Sequence, residues 1–273
     1  MTQAPLAQIL PADLEQAPGP ALGAYERCAE YYDLLTADYD HESWLEQILR
    51  LAEQAGFAGK RVLDVACGTG KSSAPLVRRG YEVGACDLSP AMARRARLRL
   101  GPAATVFVAD MRRHPGRSEF ELVTCLDDAV NYLLAREDLA AAMASIAGAL
   151  APGGVAVFDV NTLATYRTAF AAGSEIETAG GRLRWRGGGR TAAGHWTAVV
   201  EPVPGSGQAG RRSVHLQRHH AQHEVRDACA AAGLEVFRAL GQTSGCELHD
   251  SIDEDRHDKL LYVVRRPPGR CAR

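Results

Sequence analysis

The sequence has no excess of basic charge: its formal net charge is −2 over 273 residues. That balance weighs against a general binder of nucleic acid or anionic membrane, which needs surplus Lys and Arg. It has no apolar run approaching the roughly 18 residues of a membrane span. Its N-terminus lacks a basic segment followed by an apolar stretch, so no signal peptide is expected. It has no CxxC pair. The seven cysteines are odd in number and scattered, at 28, 67, 86, 125, 229, 246 and 271. Such a pattern indicates neither a zinc ribbon nor a disulfide framework, and a reduced, cytoplasmic protein is the expectation. What is present is ordinary: 46% hydrophobic and 23% charged residues, with enough chain to bury a core as one large domain or two small ones.

Residues 1–22 hold four prolines and read as a loosely attached flexible arm. Helical spacing begins over 25–35 and returns from Trp44 to Leu51, closed by Gly56. The rhythm then becomes strand–helix. Strands are expected at 61–66, 82–86, 105–109, 121–126 and 155–160. Helices are expected at 73–79, at 90–100 with Ser89 as N-cap and Pro90 in the first turn, and at 138–150. Such alternation implies a parallel sheet wrapped by helices. Beyond Asn161, short alternating pieces at 183–186, 196–200 and 214–217 lie between glycine clusters, which predicts a small antiparallel insertion over 174–220. A helix at 224–232 and strands at 234–240 and 259–264 complete a domain spanning 23–266. Residues 243–258 read as a loop and 267–273 as a tail.

The sharpest signal is Val62-Leu63-Asp64-Val65-Ala66-Cys67-Gly68-Thr69-Gly70. An apolar strand runs into a turn with small residues where backbone must approach a ligand. Gly68 and Gly70 clear side chains from that path and permit unusual dihedrals, and the next helix turns free amides toward it. A strand-to-helix turn of this kind also occurs with no ligand at all. A dinucleotide fingerprint wants glycine or alanine at 73, where Ser73 stands. A phosphate loop is a nearer rival, because Gly70-Lys71-Ser72 copies its end and Asp127 or Asp128 fits its metal-binding acid. It requires glycine at 65, however, and Val65 leaves the loop too short to wrap a phosphate. S-adenosyl-L-methionine carries no phosphate and needs only a short glycine turn with an acid close by.

From this run through the strand ends at Asp87, Asp110 and Asp127, the chain resembles the class I S-adenosylmethionine-dependent methyltransferases, over about residues 25–160. The resemblance implies that Asp64 lies under the glycine loop as a positioning acid and that Ala66, Gly68 and Gly70 line the cofactor turn. It implies that Asp87 clasps both ribose hydroxyls, as a carboxylate with two acceptor oxygens can. Leu88 and Met92 would flank the adenine, Asp110 and Met111 would read its edge, and Leu126 would lie beside the methionine part. Pro152-Gly153-Gly154 resembles the turn before the family's fifth strand, and 234–266 its closing hairpin with an antiparallel edge strand. Tyr25 to Asp33 is similar to a helix that bacterial small-molecule methyltransferases fold over the cofactor. Tyr32, with Tyr25 second, would contact the cofactor's carboxylate end; the alternative is half-buried packing. The implied fold is α/β, a Rossmann-like doubly wound sheet of seven strands with the last strand antiparallel. A small antiparallel β insertion and an N-terminal helical lid complete it.

The resemblance implies a small-molecule methyl acceptor, as in sugar-amine and amino-acid N-methyltransferases, with N- or O-methylation both open. A homodimer stays open, and neither nucleic acid nor membrane is expected. Leu126-Asp127-Asp128-Ala129-Val130-Asn131-Tyr132 stands where nucleic-acid enzymes carry Asn/Asp-Pro-Pro-Tyr. Catalytic candidates are Asp128, Tyr132, His215 and His219. A helix starting near Asp128 would bring Asp128, Asn131 and Tyr132 to neighbouring faces, and Tyr132 stands where similar sugar N-methyltransferases carry a histidine. His215 and His219 would share a face of a strand over 214–219, and the imidazole is the side chain best matched to a base at neutral pH. Solvated surface, or a metal site, is the other reading of that histidine cluster, but no His-Glu-x-x-His occurs and no metal is expected. Catalysis by alignment alone, with no base, is equally open. Two other classes remain: a nucleotide-binding protein of phosphate-loop type, and a non-catalytic cofactor-binding partner subunit.

Overall fold

The computed structural model describes residues 19–113, 119–178, 180–207 and 210–268. Local sequence rules set its helix ends. Two short helices open it, α1 (Pro20–Cys28) and α2 (Tyr32–Leu35), where the sequence suggested one. Pro20, Ala21 and Leu22, placed in the arm by composition, already belong to α1, with Gly19 before it; residues 1–18 of that arm and Cys271 lie outside the described residues. Helix α3 (His41–Gln54) is capped by Asp40, which accepts from the Ser43 amide, and it buries Trp44, Leu45, Ile48 and Leu49. Strand β1 (Arg61–Val65), helix α4 (Ser73–Arg78), strand β2 (Glu82–Asp87), helix α5 (Pro90–Leu100) and strand β3 (Ala104–Val108) come next. Ser89 caps α5 by accepting from the Met92 amide, and Pro90 begins it, where a missing N–H costs nothing. Then come β4 (Phe120–Cys125), α6 (Arg136–Ala149), β5 (Leu150–Asn161) and α7 (Leu163–Thr168). The insertion contributes β6 (Gly173–Thr178), β7 (Gly181–Arg190), β8 (Trp196–Pro202) and β9 (Ser213–Gln217). The chain closes with α8 (Gln222–Ala231), β10 (Glu235–Thr243), β11 (Glu247–His249) and β12 (Lys259–Arg265).

The main sheet runs β11-β10-β12-β5-β4-β1-β2-β3, with β1 to β5 mutually parallel. Strand β12 is antiparallel to its neighbours and lies between β5 and β10, in the interior rather than at the edge where the closing hairpin was expected. Its run Leu260–Val264 is wholly buried, which only a central position satisfies. The expected loop 243–258 supplies β11, an eighth strand at that edge. The insertion is a separate antiparallel sheet, β6-β7-β8-β9.

Successive strand residues face opposite sides, so Leu63 and Val65 pack in one core layer and Val62 in the other. A smaller core joins Cys28 and Tyr31, from the N-terminal segment, to Met92 of α5 and to Leu183 and Val200 of the insertion. The chain leaves β1 toward β2 on one side and leaves β4 toward β5 on the other, so the connections of these neighbours diverge beyond their C-terminal ends. In open α/β sheets that crevice is where ligands bind.

Candidate active site

The site begins where β1 ends. Asp64, 1% exposed, accepts hydrogen bonds from Ser72 Oγ (2.8 Å), Ser73 Oγ (2.5 Å) and Thr124 Oγ1 (2.8 Å). It ties the glycine loop and the start of α4 to β4. Burial is the largest influence on its carboxyl and raises its pKa. Ala66 and Gly68 both adopt φ of 55°, which opens the turn toward a crevice of about 380 Å³. Gly70 does not line that crevice. Its φ is 79° and an added Cβ would stand 3.2 Å from Ala96 Cα, so it lets α5 approach the loop rather than clearing a ligand's path.

Asp87 ends β2 inside the same crevice. One carboxylate oxygen accepts the Gly68 amide at 2.9 Å and the other the Ser89 amide at 2.8 Å. Burial outweighs those bonds and pushes its pKa up to about 6. Leu88, Asp110, Met111 and Leu126 line the walls. Met92 does not: it is fully buried against α1 and the insertion, because its place on α5 points away from the crevice. Asp110 is already engaged by Arg112, whose other contact is Asp138 (2.8 Å); hydrogen bonds from Arg112 hold the Asp110 carboxyl below its ordinary range. Nothing in the local sequence pattern marked Arg112.

The crevice fits S-adenosylmethionine. It offers a buried carboxylate at Asp87, a glycine at 68 with no side chain in the way, and apolar walls beside acidic groups, as a nucleoside bearing a sulfonium and an amino acid requires. Lys71, which a phosphate loop would aim at a phosphate, instead donates to the Thr36 carbonyl (2.6 Å) and hydroxyl (3.0 Å).

The N-terminal helices cover this crevice. An added Cβ at Gly68 would meet the Tyr32 ring at 3.5 Å, so that ring lies over the loop. Asp33 accepts from Thr69 Oγ1 and from Arg99, both at 2.6 Å. Glu26 accepts from Ser89 Oγ (2.5 Å) and the Ala91 amide (2.8 Å) at the start of α5.

A second, larger cavity of about 980 Å³ opens between the main sheet and the insertion. It shares Tyr25, Tyr32, Asp127 and Tyr132 with the first, so these four form the junction. Asp127 and Asp128 stand after β4 in consecutive left-handed conformations, φ 59° and 53°. No helix starts at Asp128; one 3₁₀ turn, Ala129–Tyr132, succeeds it. Asn131 therefore turns inward, holding the Arg218 carbonyl and the Asn161 amide instead of entering the cavity.

Asp159 of β5, 1% exposed, stabilises the unusual backbone: its two oxygens accept the amides of Asp127 (2.8 Å) and Asp128 (2.5 Å). Lys259 reaches Asp128 at 3.3 Å, Asp159 at 3.4 Å and Asp127 at 4.0 Å. Burial would lower the Lys259 pKa, but the three carboxylates raise it well above the ordinary lysine range. Burial raises both Asp127 and Asp128 against the pull of Lys259, Asp127 to about 6. Neither Asp159 nor Lys259 was singled out by sequence; both read there as ordinary strand residues.

Of the histidine candidates, only His215 reaches the cavity. Burial pushes its pKa down to about 4, and both ring nitrogens are engaged, Nδ1 with Tyr132 at 2.7 Å and Nε2 with Ser213 Oγ at 2.9 Å. Strand β9 ends at Gln217, so His219 does not share its face; it pairs with Glu254 at 2.6 Å and lines neither cavity. Tyr132 lies at the junction, where burial and Asp128 keep its phenol well above the ordinary range and hence neutral. Among the described residues no group of three His, Cys, Asp or Glu side chains converges to hold a metal ion. Nor is any described helix long and apolar enough to cross a membrane.

Comparison with known proteins agrees with this geometry. A family model described as a methyltransferase domain matches residues 62–154. The chain is 32% identical over 226 residues to a dTDP-3-amino-3,4,6-trideoxy-alpha-D-glucopyranose N,N-dimethyltransferase of Streptomyces venezuelae, covering 80% of this chain and 94% of that one. It is 33% identical to a putative methyltransferase of Geobacillus sp. (strain WCH70), but spans only 59% of that relative's length. The crystal structure of Streptomyces venezuelae DesVI superposes with a TM-score of 0.71 at 27% identity, covering 88% of this chain and 98% of that one. The chain belongs to the class I S-adenosylmethionine-dependent methyltransferases, in the sub-group of the bacterial sugar-amine enzymes.

Proposed function

We propose that the protein methylates an amine on a small acceptor of the amino-sugar type, with the acceptor in the larger cavity. One observation carries this reading: two cavities meet at a wall of Tyr25, Tyr32, Asp127 and Tyr132, so a cofactor in one faces an acceptor in the other. S-adenosylmethionine, when bound, supplies a methyl group on a positively charged sulfur. The residues around it have little covalent work to do; they align, exclude water and carry charge. Three carboxylates, Asp127, Asp128 and Asp159, face one lysine beside the junction. That excess of negative charge suits a cationic product such as an alkylammonium. Asp127, with its pKa near 6 and its place in both linings, is the group suited to take the proton that a methylated amine sheds. The amino-sugar N-methyltransferases among the relatives support the same acceptor class.

The test has two stages. Calorimetric titration should show binding of S-adenosylmethionine and none of ATP; the reverse result would return the nucleotide-binding reading. Methyl transfer from labelled cofactor should then be assayed on amines that include dTDP-linked amino sugars. Transfer to hydroxyl analogues in preference to every amine would overturn the acceptor class.

A further inference from the structure

Tyr132, at the junction, is the outer end of a buried hydrogen-bond chain. Tyr25 packs against Tyr132, with ring centroids 5.1 Å apart. Tyr132 contacts His215 Nδ1 at 2.7 Å, His215 Nε2 contacts Ser213 Oγ at 2.9 Å, and Ser213 Oγ contacts the Tyr31 hydroxyl at 2.8 Å. Tyr31, fully buried, ends the chain within reach of two carbonyls, Val200 at 3.1 Å and Arg211 at 3.0 Å. A carbonyl can only accept. The Tyr31 proton therefore points to a carbonyl, and the Ser213 proton goes to the Tyr31 oxygen or to the Val200 carbonyl, 3.3 Å away. Ser213 in turn accepts from His215, which places that ring's single proton on Nε2 and leaves Nδ1 bare for the proton of Tyr132. The opposite direction would leave the buried carbonyls without this donor and is disfavoured. Burial, which keeps His215 neutral and Tyr132 protonated, is consistent with one proton per group.

We propose that Tyr31, Ser213 and His215 are positioning residues: through this one-way chain they hold the Tyr132 hydroxyl, beside Tyr25, as a hydrogen-bond acceptor toward the acceptor cavity. The inference rests on the proposed function, in which the larger cavity takes an amine. An amine held by N–H donation to this oxygen has its lone pair free to face the methyl carbon. A secondary amine keeps one N–H and is still held, whereas a neutral tertiary amine has none. The chain thus sets a ceiling of two methyl groups.

Histidine-labelled protein, saturated with S-adenosylhomocysteine at pH 7, tests the chain directly by ¹H–¹⁵N correlation, with His215 assigned from the His215→Gln spectrum. The expected result is His215 with its proton on Nε2, converted to a tautomer mixture by Ser213→Ala and by Tyr31→Phe. A proton on Nδ1, or a tautomer unchanged in both variants, overturns the chain. In the kinetic arm, Tyr31→Phe should lower kcat for an accepted amine about tenfold, with S-adenosylhomocysteine affinity changed less than about twofold. Mass analysis should show mono- and dimethylated product; a trimethylammonium product overturns the acceptor role. If no amine is methylated, the proposed function fails while the tautomer result still decides the chain.

Discussion

At the residue scale, two aspartates with the same burial cause have different work. Asp87 is raised to about 6, yet in the proposed role of clasping a ribose diol it must be ionised to accept both hydroxyls. As pH falls through 6, a proton must be displaced before the diol can bind. The Kd for S-adenosylhomocysteine should therefore be flat above about pH 7 and rise toward about tenfold per unit well below 6. Asp87→Asn should bind more weakly by about 1.5–3 kcal/mol, the worth of hydrogen bonds to a charged group, and should lose that pH dependence. Titration calorimetry across pH 5–8 checks both. Asp127 works on the proton side: Asp127→Asn should lower the single-turnover rate about a hundredfold or more, within the usual range for a general base. His219→Ala should change that rate by less than about twofold, because His219 pairs with Glu254 outside both cavities.

At the scale of elements, the turn after β4 is the costly one. Two consecutive non-glycine residues in the left-handed region each cost about 1–3 kcal/mol, and the carboxylate of Asp159 on the neighbouring strand holds both amides. Asp159→Ala would orphan two N–H groups and leave Lys259 short of a partner. It should destabilise the protein by about 3–5 kcal/mol in urea denaturation, as breaking a buried pair from one side does. Combining it with Lys259→Met should recover part of the loss; a double variant no more stable than Asp159→Ala would count against the pair as a unit. The strand and its Asp127-Asp128 ending were legible through the apolar run before them. The strained turn was not legible, because its stabilising carboxylate lies 32 residues downstream and meets it only across the sheet.

At the scale of the whole molecule, the N-terminal helices are both lid and core. Cys28 and Tyr31 are fully buried with Met92, Leu183 and Val200, so removing 19–35 should unfold the insertion's inner side as well as uncover the cofactor. A gentler probe is the latch. Asp33→Ala removes the acceptor shared by Thr69 and Arg99. That pair is about a third exposed, so its loss is discounted for solvent screening to about 1 kcal/mol or less. S-adenosylhomocysteine should leave about fivefold faster at most in stopped-flow measurements, with the melting temperature nearly unchanged. An unaltered off-rate would show that the latch does not gate the crevice.

The alternation of β1 to β5 with their helices is written in the chain, since apolar period, caps and glycines are local properties. So is the crevice, because Asp64, Gly68, Asp87, Leu88, Asp110 and Met111 sit at strand ends that a parallel sheet must bring to one edge. Which polar residues meet at the junction depends instead on how distant segments pack. Tyr132, His215, Ser213 and Tyr31 come from the turn after β4, from β9 and from the N-terminal segment, and no spacing along the chain records that they touch. Nor could spacing separate His215 from His219: the end of β9 at Gln217 does so, because past it the backbone no longer alternates and His219 swings to Glu254.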